Sequence, residues 1–216
     1  MILLIFGPPG AGKGVYGQEL SKKLGLEVIS TGDLLRKEIR EQTEFGLKIK
    51  GILDRGELVP DDVIIEYMGK VLSGKDNVLL DGFPRTVKQA EALDKIAKPE
   101  IVIYLNVPKE IIVKRLGARL VCEKCGASYN KITLKPKKEG ICDSCGGKLY
   151  VRDDDKPEVI EKRFEKYEKE TKDVLDFYKS KGIVLEVLND KINTDIKEAS
   201  EKILKAIKKK SKRINL

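Results

Sequence analysis

The chain has 216 residues, 41% of them hydrophobic and 36% charged, and carries a formal net charge of +8. That length suits one sizeable core with room for a small inserted module, and the composition excludes a disordered chain. Histidine is absent, which removes the commonest general base and turns any catalysis toward lysine, arginine and carboxylates.

The apolar opening Met1–Phe6 runs straight into Gly7 and Pro8 without a basic leader. It is too short for a signal peptide or a membrane span and reads as a buried parallel strand, so a cytoplasmic location with no membrane partner is expected. The stretch that follows, "GPPGAGKGVYGQEL" (Gly7–Leu20), places Gly7, Gly10, Gly12 and Lys13 between this strand and a helix expected from Val15 to Leu24. Successive backbone N–H groups in such a loop form an anion nest, the helix N-terminus adds its dipole, and Lys13 reaches outer phosphates. A plain strand–helix turn needs one glycine, so phosphate binding is the stronger reading. Gly14 and Val15 stand where the common phosphate loop has its hydroxyl.

A short strand, Leu26–Ser30, precedes a helical stretch over residues 31–60 and a helix at Asp61–Leu72. The run Asn77–Asp81 is a further buried strand. It ends in "DGFPRT", which sets the Asp81 carboxylate beside the phosphate loop, within reach of the water shell of a magnesium ion. A helix at Thr86–Ala97, a strand at Ile101–Val107 and a helix at Lys109–Leu116 follow. The aliphatic strands lack polar alternation, which predicts burial on both faces, the last strand Ile183–Leu188 included.

Residues 119–152 break the rhythm and carry all four cysteines, Cys122-x-x-Cys125 and Cys142-x-x-Cys145, separated by sixteen residues. Two such knuckles supply four thiolates, the pattern of a closed structural zinc site. A redox pair or an iron site with the same ligands stays open. Asp153, Asp154 and Asp155 then lead into Pro157, a good helix start, for a helix to Lys179 with Ile160, Phe164, Tyr167, Val174 and Tyr178 on one face. The last part, "KKKSKRINL", holds Lys208, Lys209, Lys210, Lys212 and Arg213. It reads as a solvated helix end rather than a nucleic-acid-binding tail. Alternating strands and helices imply a doubly wound parallel α/β sheet of five strands. The arginines Arg36, Arg85, Arg115, Arg119, Arg152 and Arg163 lie in segments that can converge, and planar guanidinium groups suit a transferring phosphoryl group.

With "GPPGAGKG", "STGDLLR", "GELVPD", "DGFPRT" followed by Gln89, "RLGARLVCEKCG" and "RDDDKPEVIEKR" in this order, nearly the whole chain resembles an adenylate kinase of the long type, with a zinc-bearing lid. The resemblance implies a core of residues 1–29, 60–118 and 157–216, an AMP-binding insertion at 30–59 and a lid at 119–156. It assigns the donor ATP to Gly10, Ala11, Gly12, Lys13, Gly14, Val15, Arg115, Arg119, Ser128, Tyr129 and backbone near Lys191. AMP falls to Thr31, Arg36, Glu57, Leu58, Val59, Gly82, Phe83, Pro84, Arg85 and Gln89, with Arg152 and Arg163. The catalytic set is Lys13, Asp81, Arg85, Arg119, Arg152 and Arg163, and Asp154 and Asp155 pair with lid or hinge arginines. The implied ligands are Mg2+ with the nucleotide, a structural Zn2+ on Cys122, Cys125, Cys142 and Cys145, and ATP, AMP and ADP, in a monomer without nucleic acid.

Gly14 agrees with the family. Val15 departs from its threonine, Asn130 from its histidine, and Leu188–Asn193 matches its usual glycine-containing loop poorly. The donor base therefore stays open between ATP and GTP. A pyrimidine monophosphate kinase, a zinc-ribbon nucleic-acid-binding ATPase and a structural protein are the rival readings. Gln89 favours AMP as acceptor, and Tyr129 and Tyr150 alone are too few aromatics for a nucleic-acid platform.

Overall fold

The computed structural model describes residues 1–55, 57–152, 155, 157–192 and 195–210. Asp153, Asp154, Asn193, Lys212 and Arg213, singled out above, lie outside the described residues. Five strands, β1 (Ile2–Phe6), β2 (Glu27–Ser30), β3 (Val78–Asp81), β4 (Ile101–Asn106) and β8 (Val184–Leu188), form a parallel sheet in the order β2-β3-β1-β4-β8. This is the doubly wound α/β fold. The chain turns to opposite sides of β1 on its way to β3 and to β4, so the loop after β1 sits over the crevice where ligands bind in open α/β sheets.

Two apolar clusters pack on the two faces. On one, Ile2, Leu4 and Phe6 meet residues of α2 (Thr31–Arg40), α3 (Glu44–Asp54), α4 (Asp61–Leu72), α5 (Val87–Ile96) and the C-terminal half of α7 (Pro157–Ser180). On the other, Leu3 and Ile5 meet α1 (Lys13–Leu24), α6 (Lys109–Gly117), α8 (Ile196–Lys210) and the start of α7 through Ile160 and Phe164. The 24-residue α7 thus spans both clusters.

Local chemistry sets the helix boundaries. Ser30, Thr43 and Thr86 cap α2, α3 and α5, their hydroxyls accepting from the N–H groups of Asp33, Gly46 and Gln89. Helix α1 begins at Lys13, two residues before the expected start, because Gly12 takes a left-handed conformation (φ 93°) that turns the loop into the helix. Lys13 and Gly14 therefore lie in the first turn, where backbone N–H groups have no intrahelical acceptor.

One expectation fails. Strand β8 is not buried on both faces, since Glu186 and Leu188 are exposed and its other residues half-buried. It pairs with β4 alone and forms the sheet edge, and edge position depends on the order of all the strands, not on the local apolar run. A second, antiparallel sheet holds β5 (Arg119–Cys122) between β6 (Ser128–Asn130) and β7 (Leu149–Tyr150). Among the described residues no helix is long and apolar enough to cross a membrane.

Candidate functional site

The sheet register brings the loops together. Asp81 lies level with Ile5 of β1 and Ser30 of β2, so the segments after Phe6, Ser30 and Asp81 leave the same edge side by side. In the first, Gly10 has φ +82°, and a Cβ there would lie 2.7 Å from Leu116 Cγ, so only glycine keeps the loop against α6. Ala11 is buried, Gly14 is exposed with open space around it, and Val15 is half-buried with its N–H bonded to Gly12 O at 3.0 Å.

The Lys13 ammonium donates to the carbonyls of Gly7 at 2.7 Å and Pro8 at 3.0 Å. Burial lowers its pKa to about 8, the Asp81 carboxylate pulls it back up, and Arg85, Arg163 and Arg119 push it down. Burial raises the Asp81 carboxyl against the pull of Lys13 and Arg85. Arg85 reaches solvent on one side, yet the surrounding protein lowers its pKa, while Asp81 raises it and Arg36 and Arg152 lower it further. These mutual influences put Lys13, Asp81, Arg85, Arg119, Arg163, Arg36 and Arg152 in one electrostatic neighbourhood. Such a cluster of cations around one carboxylate suits a polyanion.

On the β2–β3 side, Thr31 is buried with its hydroxyl 3.7 Å from Met68 Sδ, and Arg36 is ion-paired with Asp33. Arg85 Nε donates to Gly82 O at 2.9 Å, and Phe83 and Pro84 are buried beneath. Gln89 is also buried, with both ends of its amide engaged: Oε1 accepts from the Arg85 N–H at 2.8 Å, and Nε2 donates to Asp61 Oδ1 at 2.7 Å. Asp61 also accepts from Thr86 Oγ1 at 3.0 Å. Asp61 closes the "GELVPD" motif, but helix periodicity carries no trace of its partner on the next helix. Val59 is buried in the core cluster, Leu58 is half-buried, and Glu57 is exposed and paired with Arg55.

Where β5 begins, Arg119 Nε donates to Asp155 Oδ2 at 2.7 Å and its Nη2 to Oδ1, while Arg163 Nη1 reaches the same Oδ1 at 3.2 Å. The Asp155 side chain is 0% exposed. Arg152, half-buried after β7, accepts the Asp155 N–H on its carbonyl at 3.1 Å. Farther along the edge, Arg115 Nη2 donates to Asn189 Oδ1 at 3.0 Å and to Lys191 O at 2.6 Å. Asn130 Nδ2 donates to Arg115 O at 2.8 Å, and its Oδ1 accepts from the N–H groups of Ile132 and Thr133. Asn130 thus shapes a turn and ties it to α6.

The four cysteine sulfurs lie within 4.8 Å of one another. The two knuckles share one hydrogen-bond pattern: Cys122 N–H to Ala127 O and Gly126 N–H to Cys122 O in the first, Cys142 N–H to Gly147 O and Gly146 N–H to Cys142 O in the second. A Cβ on Gly147 would lie 2.8 Å from Cys122 Sγ. Four converging thiols in closed knuckles fit a tetrahedral metal ion. Tyr129 turns into this cluster, its hydroxyl 3.4 Å from Cys142 Sγ and accepting the Asp143 N–H at 2.7 Å, whereas Ser128 is exposed. That hydroxyl is the main influence bringing the Cys142 thiol down to about 6. Replacing Cys122 by serine should leave less than one metal ion per chain by elemental analysis and lower the melting temperature more than kcat. A Cys122→Ser protein that holds its metal in full would refute the site.

A family profile described as "Adenylate kinase" matches residues 5–183. A protein named adenylate kinase from Caldicellulosiruptor saccharolyticus is 44% identical over 215 residues, covering 96% of this chain and 99% of its own. Adenylate kinases from Methanosarcina mazei (48% over 193 residues, 86% of this chain and 89% of its own) and Archaeoglobus fulgidus (44% over 216 residues, 96% and 100%) are similarly related.

Proposed function

The chain belongs to the adenylate kinase family, and from that premise we infer how its residues divide the work of the reaction. It is an enzyme that transfers a phosphoryl group reversibly between ATP and AMP, giving two ADP. The observation that carries the assignment of roles is the shared electrostatic neighbourhood of Lys13, Asp81, Arg85, Arg119 and Arg163 at one edge of the sheet.

The loop from Gly10 to Val15 and Lys13 hold the donor phosphates. Arg36, Arg85 and the turn at Gly82 hold the AMP phosphate, with Thr31, Val59 and Gln89 around its base. Asp61 keeps Gln89 in one orientation, so one face of the acceptor pocket is set before AMP arrives. Arg119, Arg152 and Arg163 neutralise the charge that develops on the transferring group. No histidine is required: an ionised phosphate oxygen of AMP is already a nucleophile, and positioning and electrostatics supply most of the rate. Asp81 would hold the water shell of a magnesium ion bound with the nucleotide, and the ion would offset the phosphate charge.

Residues 1–29, 60–118 and 157–216 form the core, residues 30–59 the AMP-binding insertion, and residues 119–156 a lid held by zinc on Cys122, Cys125, Cys142 and Cys145. Closure of the lid keeps water from competing with AMP as acceptor. A cytoplasmic monomer completes the reading, with thiols kept reduced for the metal.

A coupled assay offering each nucleoside monophosphate with ATP or GTP tests the whole. ADP should form from AMP and ATP, and failure of AMP with either donor would sink the reading. Restoring the hydroxyl with Val15→Thr should lower the donor KM roughly threefold, within the range of one neutral hydrogen bond, and leave the AMP KM unchanged. No gain in donor affinity would count against a role for that hydrogen bond.

A further inference from the structure

Tyr16 is 0% exposed, packed in the cluster that joins α1, α6 and α8. Its ring lies under the phosphate loop, so that a Cβ on Gly12 would sit 3.5 Å from its Cδ2 and Cε2. Burial pushes its phenol pKa up, which keeps the hydroxyl protonated at neutral pH. Packing alone would be met by an apolar side chain, which avoids the desolvation cost that a buried hydroxyl carries unless a hydrogen bond offsets it. Its partner is Asn189, whose Nδ2 donates to the Tyr16 hydroxyl at 3.3 Å across 173 positions of sequence.

Asn189 is 2% exposed and joins three elements. Its N–H bonds to Asn106 O at the end of β4 at 2.8 Å, its Oδ1 accepts from Arg115, and its Nδ2 reaches Tyr16. Arg115 in turn binds the Lys191 carbonyl. Two places where the resemblance is imperfect, the first turn of α1 that holds Val15 and the loop after Leu188, therefore meet through Tyr16 and Asn189. The chain of contacts runs from the phosphate loop to the backbone carbonyl at Lys191. A carbonyl accepts a hydrogen bond from the 6-amino group of adenine but faces the 6-oxo group of guanine acceptor to acceptor.

We propose that Tyr16 is a positioning residue which, through its hydroxyl bond to Asn189, fixes Arg115 and the Lys191 carbonyl and thereby sets the preference for an adenine over a guanine donor. This rests on the kinase reading above and on the resemblance, which assigns Arg115 and the backbone near Lys191 to the donor ATP.

The test compares kcat and KM for ATP and GTP, at saturating AMP, in wild type, Tyr16→Phe and Asn189→Asp. Loss of the hydroxyl should raise the ATP KM roughly threefold to tenfold, the span of one neutral hydrogen bond, and lower the ATP-over-GTP ratio of kcat/KM by a similar factor. The KM for AMP should not move. Asn189→Asp keeps an acceptor for Arg115 and offers one to the Tyr16 proton, so it should retain the wild-type ratio. An unchanged ratio in Tyr16→Phe, or a parallel rise in the AMP KM, overturns the proposal by reducing Tyr16 to packing. If Tyr16→Phe proves too unstable to assay, Asn189→Leu breaks the same bond from the other side, and an unchanged ratio there overturns it equally. A wild type that forms no ADP from AMP and ATP sinks the kinase reading along with this one, whereas an active wild type with an unaltered variant ratio sinks this one alone.

Discussion

Replacing Lys13 by methionine is expected to lower kcat/KM by roughly a thousandfold, about 4 kcal/mol of transition-state stabilisation. Methionine keeps the length and loses the charge, so the loop and α1 should keep their structure. In the free protein the ammonium rests on the Gly7 and Pro8 carbonyls, and arriving phosphates offer it far stronger acceptors. The same residue gives a pH signature. Its folded-state pKa is lowered to about 8 from 10.5. Below pH 8 the folded protein therefore bears the full penalty of holding that charge. As pH rises from about 8 toward 10.5 the folded form loses its proton before the unfolded form does, and the penalty is relieved. The nucleotide-free wild type should accordingly gain stability relative to Lys13→Met across that window. A bound phosphate favours the charged form, so ATP binding near pH 9 should take up a proton, read by calorimetry in buffers of different ionisation enthalpy. Lys13→Met should take up none. Equal proton uptake by the two proteins would remove Lys13 from the phosphate site.

Much of this was legible along the chain, and the limits have a physical cause. Continuous aliphatic runs at Ile2–Phe6, Val78–Asp81 and Ile101–Asn106 mark the three central strands because both faces of each are buried. The glycines before Lys13 and the paired cysteines are equally readable, since each motif needs its residue types at fixed spacing. What escapes is long-range. The exposure of β8 follows from its place at the edge, and Asp61 acquires its meaning only when α4 packs beside α5 and meets Gln89. That the Tyr129 hydroxyl turns toward Cys142 emerges only once β6 folds. Tyr16 and Asn189 are 173 positions apart, beyond the reach of any periodicity. The one faint signal is an aromatic residue with a polar tip among the apolar positions of α1, since such a group buried in a core usually has a partner. The resemblance implied that Asp154 and Asp155 pair with lid or hinge arginines, and at Asp155 that pairing is seen.

Asp155→Ala should be the most damaging substitution outside the phosphate loop. Its carboxylate is wholly buried, while the side chains of Arg119 and Arg163 remain 18% and 20% exposed. Removing one partner of a buried ionic cluster typically costs about 3–5 kcal/mol. Because both guanidinium groups keep a path to solvent, about 2–3 kcal/mol is the better figure here. The two arginines come from different elements, Arg119 from the first residue of β5 and Arg163 from α7, so the carboxylate also sets the distance between them. Without it, like charges repel and neither guanidinium stays where a transferring phosphoryl group needs it, which should lower kcat roughly tenfold to a hundredfold. Asp155→Asn separates the two effects. It keeps the shape but removes the charge and turns an amide donor toward two donors, so much of the stability loss should persist. Bound nucleotide supplies the missing negative charge, so ATP should stabilise Asp155→Asn by more than it stabilises the wild type. A double-mutant cycle with Arg163→Met then isolates the pair. A coupling near zero, with kcat unchanged in Asp155→Ala, would show that the two arginines find their places without this carboxylate.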